Sequence, residues 1–167
     1  ITGTLEHAGR GEHLFFLPRH QGLPADAFVE QLNFQDERGP LRAQQVALNQ
    51  WTVNTRGGTV RFVYRLVNTA PRFTREAWGG SATAFNKRMA FISGSMAFIV
   101  PAAIDPGMSI MMDWRVPPAW HIVTPWSVDR RSVEASSLYG LVHNYYTVYQ
   151  KGSMLTRRYN NLQLTMV

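Results

Sequence analysis

The sequence predicts an all-β fold, an antiparallel β-sandwich with at most one or two short helices. Three observations carry that prediction: apolar and polar residues alternate in short runs, turn residues separate the runs at close intervals, and only one stretch has helical spacing.

The runs follow in order. "FVEQLNFQ" (28–35) places Phe28, Glu30, Leu32 and Phe34 on one face and Val29, Gln31 and Asn33 on the other, and "DERGP" (36–40) is a turn. "RAQQVALNQWTVN" (42–54) and "TVRFVYRLV" (59–67) read as strand partners, with Gly57-Gly58 as the hairpin tip. In the second of these Val60, Phe62, Tyr64 and Leu66 share the buried face, while Arg61 and Arg65 share the solvated one. "MAFISGSMAFIVP" (89–101) gives two apolar runs around Ser93-Gly94-Ser95, a bulge or a tight hairpin. "MSIMMDWRV" (108–116) alternates between "DPG" (105–107) and Pro117-Pro118, which turns Met108, Ile110, Met112, Trp114 and Val116 inward and Ser109, Asp113 and Arg115 outward. Met112 and Trp114 are therefore expected to be buried. "HIVTPW", "SVEAS" and "NLQLTMV" read as further short strands. Helical spacing is confined to "SSLYGLVHNYY" (136–146), where Leu138, Leu141 and Val142 share a face behind capping serines.

At 167 residues the chain fits one domain, residues 1–167, with one core. The longest apolar run, "MAFIV" (96–100), is far below the roughly 20 residues of a membrane span. The absence of Cys removes disulfides and thiolate chemistry, and leaves the compartment, periplasmic or cytoplasmic, unread. The formal charge is +6, and apart from Lys87 and Lys151 every basic residue is Arg. These residues are scattered along solvated faces, an arrangement that argues against a nucleic-acid footprint.

Catalytic patterns are missing. No His-Glu-x-x-His occurs, and the five histidines (His7, His13, His20, His121 and His143) lack ligand spacing. Ser93-Gly94-Ser95 is no nucleophile elbow, and no carboxylates pair for acid and base work. No catalytic, cofactor-binding or metal residue is therefore assigned. "VPPAWHIVTPW" (116–126) reads as a sheet corner whose aromatics fill core or edge, with Trp126 the most exposed. Trp78, Trp126, Arg130 and Arg131 are the candidate interface or ligand contacts.

The order of the pieces resembles the N-terminal domain of the glycyl aminopeptidase family of zinc metallopeptidases. The resemblance rests on Leu17-Pro18-Arg19, the Asp36 to Gly39 turn, Trp51-Thr52-Val53, Tyr64, Val116-Pro117 with Trp120, and Leu138 to Gly152. His20 and Gln21 stand where that family has Trp and Pro, and His143 stands where it has Asp. The resemblance implies a bacterial, non-catalytic accessory module that packs on a catalytic domain beyond Val167 and helps wall its substrate cleft. Zinc is expected only in that missing domain, not in this chain. Partners on this reading are the parent's catalytic domain and peptide. A stand-alone peptide- or carbohydrate-binding module is the alternative, and self-association into a homo-oligomer stays open.

Overall fold

The computed structural model describes residues 1–18, 27–68, 84–85, 87–103, 110–135, 137–150, 155–159 and 162–166. The architecture is all-β and antiparallel, with two short helices. The first half forms a six-stranded sheet from β1 (Thr2–Phe16), β2 (Ala27–Asp36), β3 (Gly39–Leu41), β4 (Ala43–Ala47), β5 (Gln50–Asn68) and β8 (Val100–Pro101). Its order is β3-β2-β5-β1-β8, with β4 also on β5. A four-stranded sheet, β10-β12-β7-β6, is built from β6 (Ala84–Phe85), β7 (Met89–Ser93), β10 (Trp120–Val123) and β12 (Tyr145–Gln150). Two ribbons complete the set: β9 (Ile110–Asp113) with β11 (Ser132–Ala135), and β13 (Leu155–Tyr159) with β14 (Leu162–Met166). The helices are α1 (Gly94–Ala97) and α2 (Leu138–Val142).

The 19-residue β5 is the spine of the first sheet. Its first ranks pair β4, its last ranks pair β2, and β1 runs along the opposite side. Alternation along β5 sends Trp51, Val53, Val60, Phe62 and Tyr64 into a core with Leu5, Phe15, Leu17, Phe34 and Ile99, while Arg56, Arg61 and Arg65 stay outside. Phe15, Phe34 and Phe62 meet with ring centroids 4.9 to 5.5 Å apart. A second core joins Val100, Met112, Val133, Ala135, Leu141, Val142 and Tyr146.

Several sequence expectations need correction. Gly57-Gly58 lies inside β5, not at a hairpin tip; both residues hold positive φ (87° and 94°) where β1 bulges between Leu5 and Ala8 and Ala8 pairs Gly58. The tip is Leu48-Asn49, because Asn49 takes the left-handed conformation (φ 60°) that Asn tolerates, and this splits 42–54 between β4 and β5. In β2 a second bulge, with Gln31 at φ 54°, turns Val29 toward the core beside Leu32 and leaves Glu30 exposed. Ser93-Gly94-Ser95 is neither bulge nor hairpin: it enters α1. A side chain at Gly94 would sit 2.2 Å from the Leu141 carbonyl oxygen, so only glycine lets α1 press on α2.

The strand of 108–116 stops at Asp113. Met112 is buried, whereas Trp114 and Val116 are half-buried; the Trp114 amide still donates to the Arg131 carbonyl at 2.7 Å, one rank beyond the Asp113–Ser132 pair, before the prolines end the pairing. Residues 2–16, for which the sequence predicts no strand, form the long β1. Helix α2 lies where expected; the Ser137 hydroxyl accepts from the Gly140 amide at 3.0 Å. His20, the "DPG" turn, Met108 and Ser109 lie outside the described residues.

Candidate functional site

The corner at 116–126 is organised by its backbone. Pro117-Pro118 cannot extend a ladder, so the chain turns and re-enters a strand at Trp120, whose amide donates to the Pro117 carbonyl at 3.0 Å. After Val123 a tight turn follows: the Thr124 amide donates to the Ser127 carbonyl at 2.8 Å, and the Thr124 hydroxyl accepts from the Ser127 amide at 3.0 Å. Val128 then bridges back to Val123. Pro125 and Trp126 are thereby held at the turn.

Trp126 is 36% exposed. Its indole packs on Tyr146, centroids 6.1 Å apart, and over Gly140, where a Cβ would come within 3.4 Å of it. Tyr146 is buried, donates its hydroxyl to the Leu141 carbonyl at 2.7 Å, and also meets Trp114 (5.7 Å) and Phe98 (5.3 Å). Beside Gly140 on α2, Tyr139 is 72% exposed and stacks on His143 at 4.1 Å. Trp126 is thus an aromatic held on one face by Tyr146 and open to solvent on the rest.

The two arginines have different roles. Arg131 donates from its guanidinium to the Val116 and Pro117 carbonyls (2.8 and 3.3 Å), tying down the proline corner, and its backbone carbonyl holds Trp114. Arg130 is exposed and makes no hydrogen bond or ion pair with the described residues. Trp78 lies outside the described residues. The structure therefore links Trp126 to Arg131 through Tyr146 and Trp114, whereas Arg130 stays exposed.

Sequence reasoning missed the His121–Asp129 pair. His121 Nδ1 donates to the Asp129 carboxylate at 2.9 Å, the Ile122 amide donates to the same carboxylate at 3.1 Å, and the imidazole stacks on Tyr149 at 5.3 Å. The His121 hydrogen bond holds the Asp129 carboxyl below its ordinary value. Burial, with the nearby Asp129 charge, pushes the Tyr149 phenol up. Asp129 sits at φ 59°, and its return alongside β10 depends on the turn, so linear spacing alone does not signal it.

Among the described residues no three His, Asp or Glu side chains come together in a way that could hold a metal ion. His13 Nε2 bonds the Gly9 carbonyl at 2.8 Å, far in sequence from His121 on β10 and from His143 at the end of α2. The described residues thus do not fit a zinc centre. What they offer is exposed surface: an indole held on Tyr146, a tyrosine stacked on His143 and, separately, the exposed Arg130.

Two comparisons bear on this surface. Residues 20–149 match the model of the Peptidase M61 N-terminal domain, a range that takes in the 116–126 corner and α2. A solved structure of an aminopeptidase N family protein from Idiomarina loihiensis superimposes with a TM-score of 0.72 at 12% sequence identity, covering 98% of this chain and 29% of that one. This chain thus spans under a third of the length of that neighbour, and at such identity the likeness concerns the fold. No curated protein matches.

Proposed function

The chain belongs to the Peptidase M61 N-terminal domain family, and we propose that it works as the non-catalytic accessory domain of a zinc aminopeptidase, packing on the peptidase domain and helping to wall the cleft that admits a peptide N-terminus. The observation that carries this reading is the family match over residues 20–149, which spans most of both main sheets. Zinc belongs, on this proposal, to the peptidase domain and not to this chain. Trp126 and Arg130 are its proposed contacts to that domain or to bound peptide, since one is a held aromatic and the other an unengaged cation at a wet rim.

The test compares the full-length parent, the parent lacking this region, and this chain alone on an N-terminal glycine amide reporter with zinc. Turnover is expected from the parent only. Turnover by this chain above a heat-inactivated control, or undiminished turnover after its deletion, would refute the proposal. A second reading, a peptide-binding module acting without a peptidase, is favoured by the exposed Trp126 and Tyr139. It requires this chain alone to bind peptide, with the affinity lost in Trp126→Ala.

A further inference from the structure

The end of the six-stranded sheet where β4 turns into β5 carries no charge. Three cross-strand ranks run Ala47–Gln50–Phe16–Val100, Gln45–Trp51–Phe15–Pro101 and Gln44–Thr52–Leu14. Residues 13–18, 43–55 and 99–103, which make up this end and its connections, contain no Asp, Glu, Lys or Arg, in a chain that is 17% charged. At the tip Val46, Ala47 and Leu48 are exposed in succession, Val46 by 50% and Leu48 by 54%. Gln44, Gln45 and Gln50 around them, and Ala102 and Ala103 beyond β8, are also exposed.

Val63, Val128 and Met111, exposed elsewhere, sit among charges. Val63 lies between Arg61 and Arg65 on one face of β5, Val128 precedes Asp129-Arg130-Arg131, and Met111 pairs with Glu134. Three consecutive exposed apolar residues are a liability in a surface that stays wet. The strand behind them adds to it: β4 pairs only β5 among the described residues, and Ala43-Gln-Gln-Val-Ala47 has no Lys, Pro or acidic residue to deter pairing along its outer edge. Nor is the tip loose. Asn49 is buried and its carbonyl accepts from the Leu17 amide at 3.0 Å, so the hairpin is fixed in place before any partner arrives.

We infer that this charge-free end is where the peptidase part of the parent chain docks. The inference rests on the accessory-domain reading above. The occupant follows from two facts: the fold accounts for only 29% of the neighbouring aminopeptidase family chain, and the centres of permanently covered interfaces are depleted of charge and rich in apolar groups, as this end is. An occasional, dissociating partner would leave Val46-Ala47-Leu48 wet for much of the time.

The experiment places a photo-crosslinking amino acid at Leu48 in the full-length parent and, in separate proteins, at Val63 and Trp126, and maps the cross-links by mass spectrometry. The expected result is an intramolecular cross-link from position 48 to the peptidase segment, abolished by urea and absent from position 63. Cross-links to that segment from position 126 or 63 but not 48 would overturn the docking surface and leave the accessory-domain reading standing. Cross-links from 48 only between two copies would make the occupant a second molecule and overturn it also. No cross-link to the peptidase segment from any position would remove both readings. Leu48→Asp, checked for native circular dichroism, should weaken protection of the facing peptidase segment in hydrogen exchange, and unchanged protection counts against the surface.

Discussion

Tyr64 on the spine strand accepts a hydrogen bond from the Ile99 amide at 3.1 Å, and the same hydroxyl donates to the Ala97 carbonyl at 2.6 Å. One phenol thus satisfies both backbone groups at the exit of α1 and pins the start of the second half of the chain to the first sheet.

Tyr64→Phe keeps the ring and strips both buried groups of their partner. A loss of about 1–3 kcal/mol is expected, read as a lower urea midpoint with unchanged slope. Burial also pushes the Tyr64 phenol above its ordinary value. The folded state therefore favours the neutral phenol, so this stabilisation is complete below about pH 10, the ordinary tyrosine value, and is lost as pH rises toward the folded value. Wild type should lose more stability than Tyr64→Phe on going to strongly alkaline pH; parallel curves would contradict this.

Gly94→Ala should be among the most damaging single changes. The new methyl would meet backbone, the Leu141 carbonyl at 2.2 Å and Val142 Cα at 3.1 Å, which cannot swing aside as a side chain can. A cost of about 3 kcal/mol or more is expected. Thermal unfolding within 2 °C or so of wild type would show that α1 and α2 have room to part.

Trp114 carries a sealed indole N–H with no partner among the described residues. Trp114→Phe removes that orphan donor and keeps an aromatic against Tyr146, so stability should hold or rise by up to about 1 kcal/mol. Trp114→Ala should cost about 2–3 kcal/mol, at or below the low end for a large aromatic, because the side chain is only half enclosed. Equal losses in both variants would point to a hydrogen bond that the indole makes after all.

Asp129 sets a pH dependence of opposite sense. Its carboxyl is held low, so its contribution is present above the ordinary carboxylate range and fades as pH falls through the lowered value. Asp129→Asn should cost less than about 1 kcal/mol near neutrality, since the pair is open to solvent. The gap to wild type should close toward pH 3. Asn also tolerates the φ of 59° there, which isolates the charge from the backbone. A gap that stays constant with pH would assign the effect to packing.

Strand identity was legible wherever one face of a strand is buried and the other wet, as along 59–67, and α2 was legible because Ser137 and the Leu138, Leu141 and Val142 spacing agree. Turns were less so. Gly57-Gly58 has the composition of a hairpin tip, yet the chain uses its freedom to pass a bulge in β1, and the tip falls to Leu48-Asn49, whose left-handed Asn is a weaker signal. Residues 1–16 gave no strand pattern because Gly9, Gly11 and the bulge at His7 break the alternation. At the corner the exposure of Trp126 was legible in the aromatic and proline cluster, whereas the turn of Arg131 into the corner depends on where the Val116 and Pro117 carbonyls end up in space. The charge-free end is not legible in the linear sequence because its parts come from three separated stretches of chain.

The shared spine has a consequence in time. A two-residue turn brings β4 onto β5, whereas β1 must close a loop of tens of residues to reach the other side of the same strand. Local hairpins form in microseconds, and distant pairings wait for more of the chain to be ordered. The hairpin at Leu48-Asn49 should accordingly show high φ-values in refolding and β1 low ones. Destabilising changes in β1 would then speed unfolding with little effect on the folding rate, so the apolar tip would already be in place while the strand behind it was still being laid down.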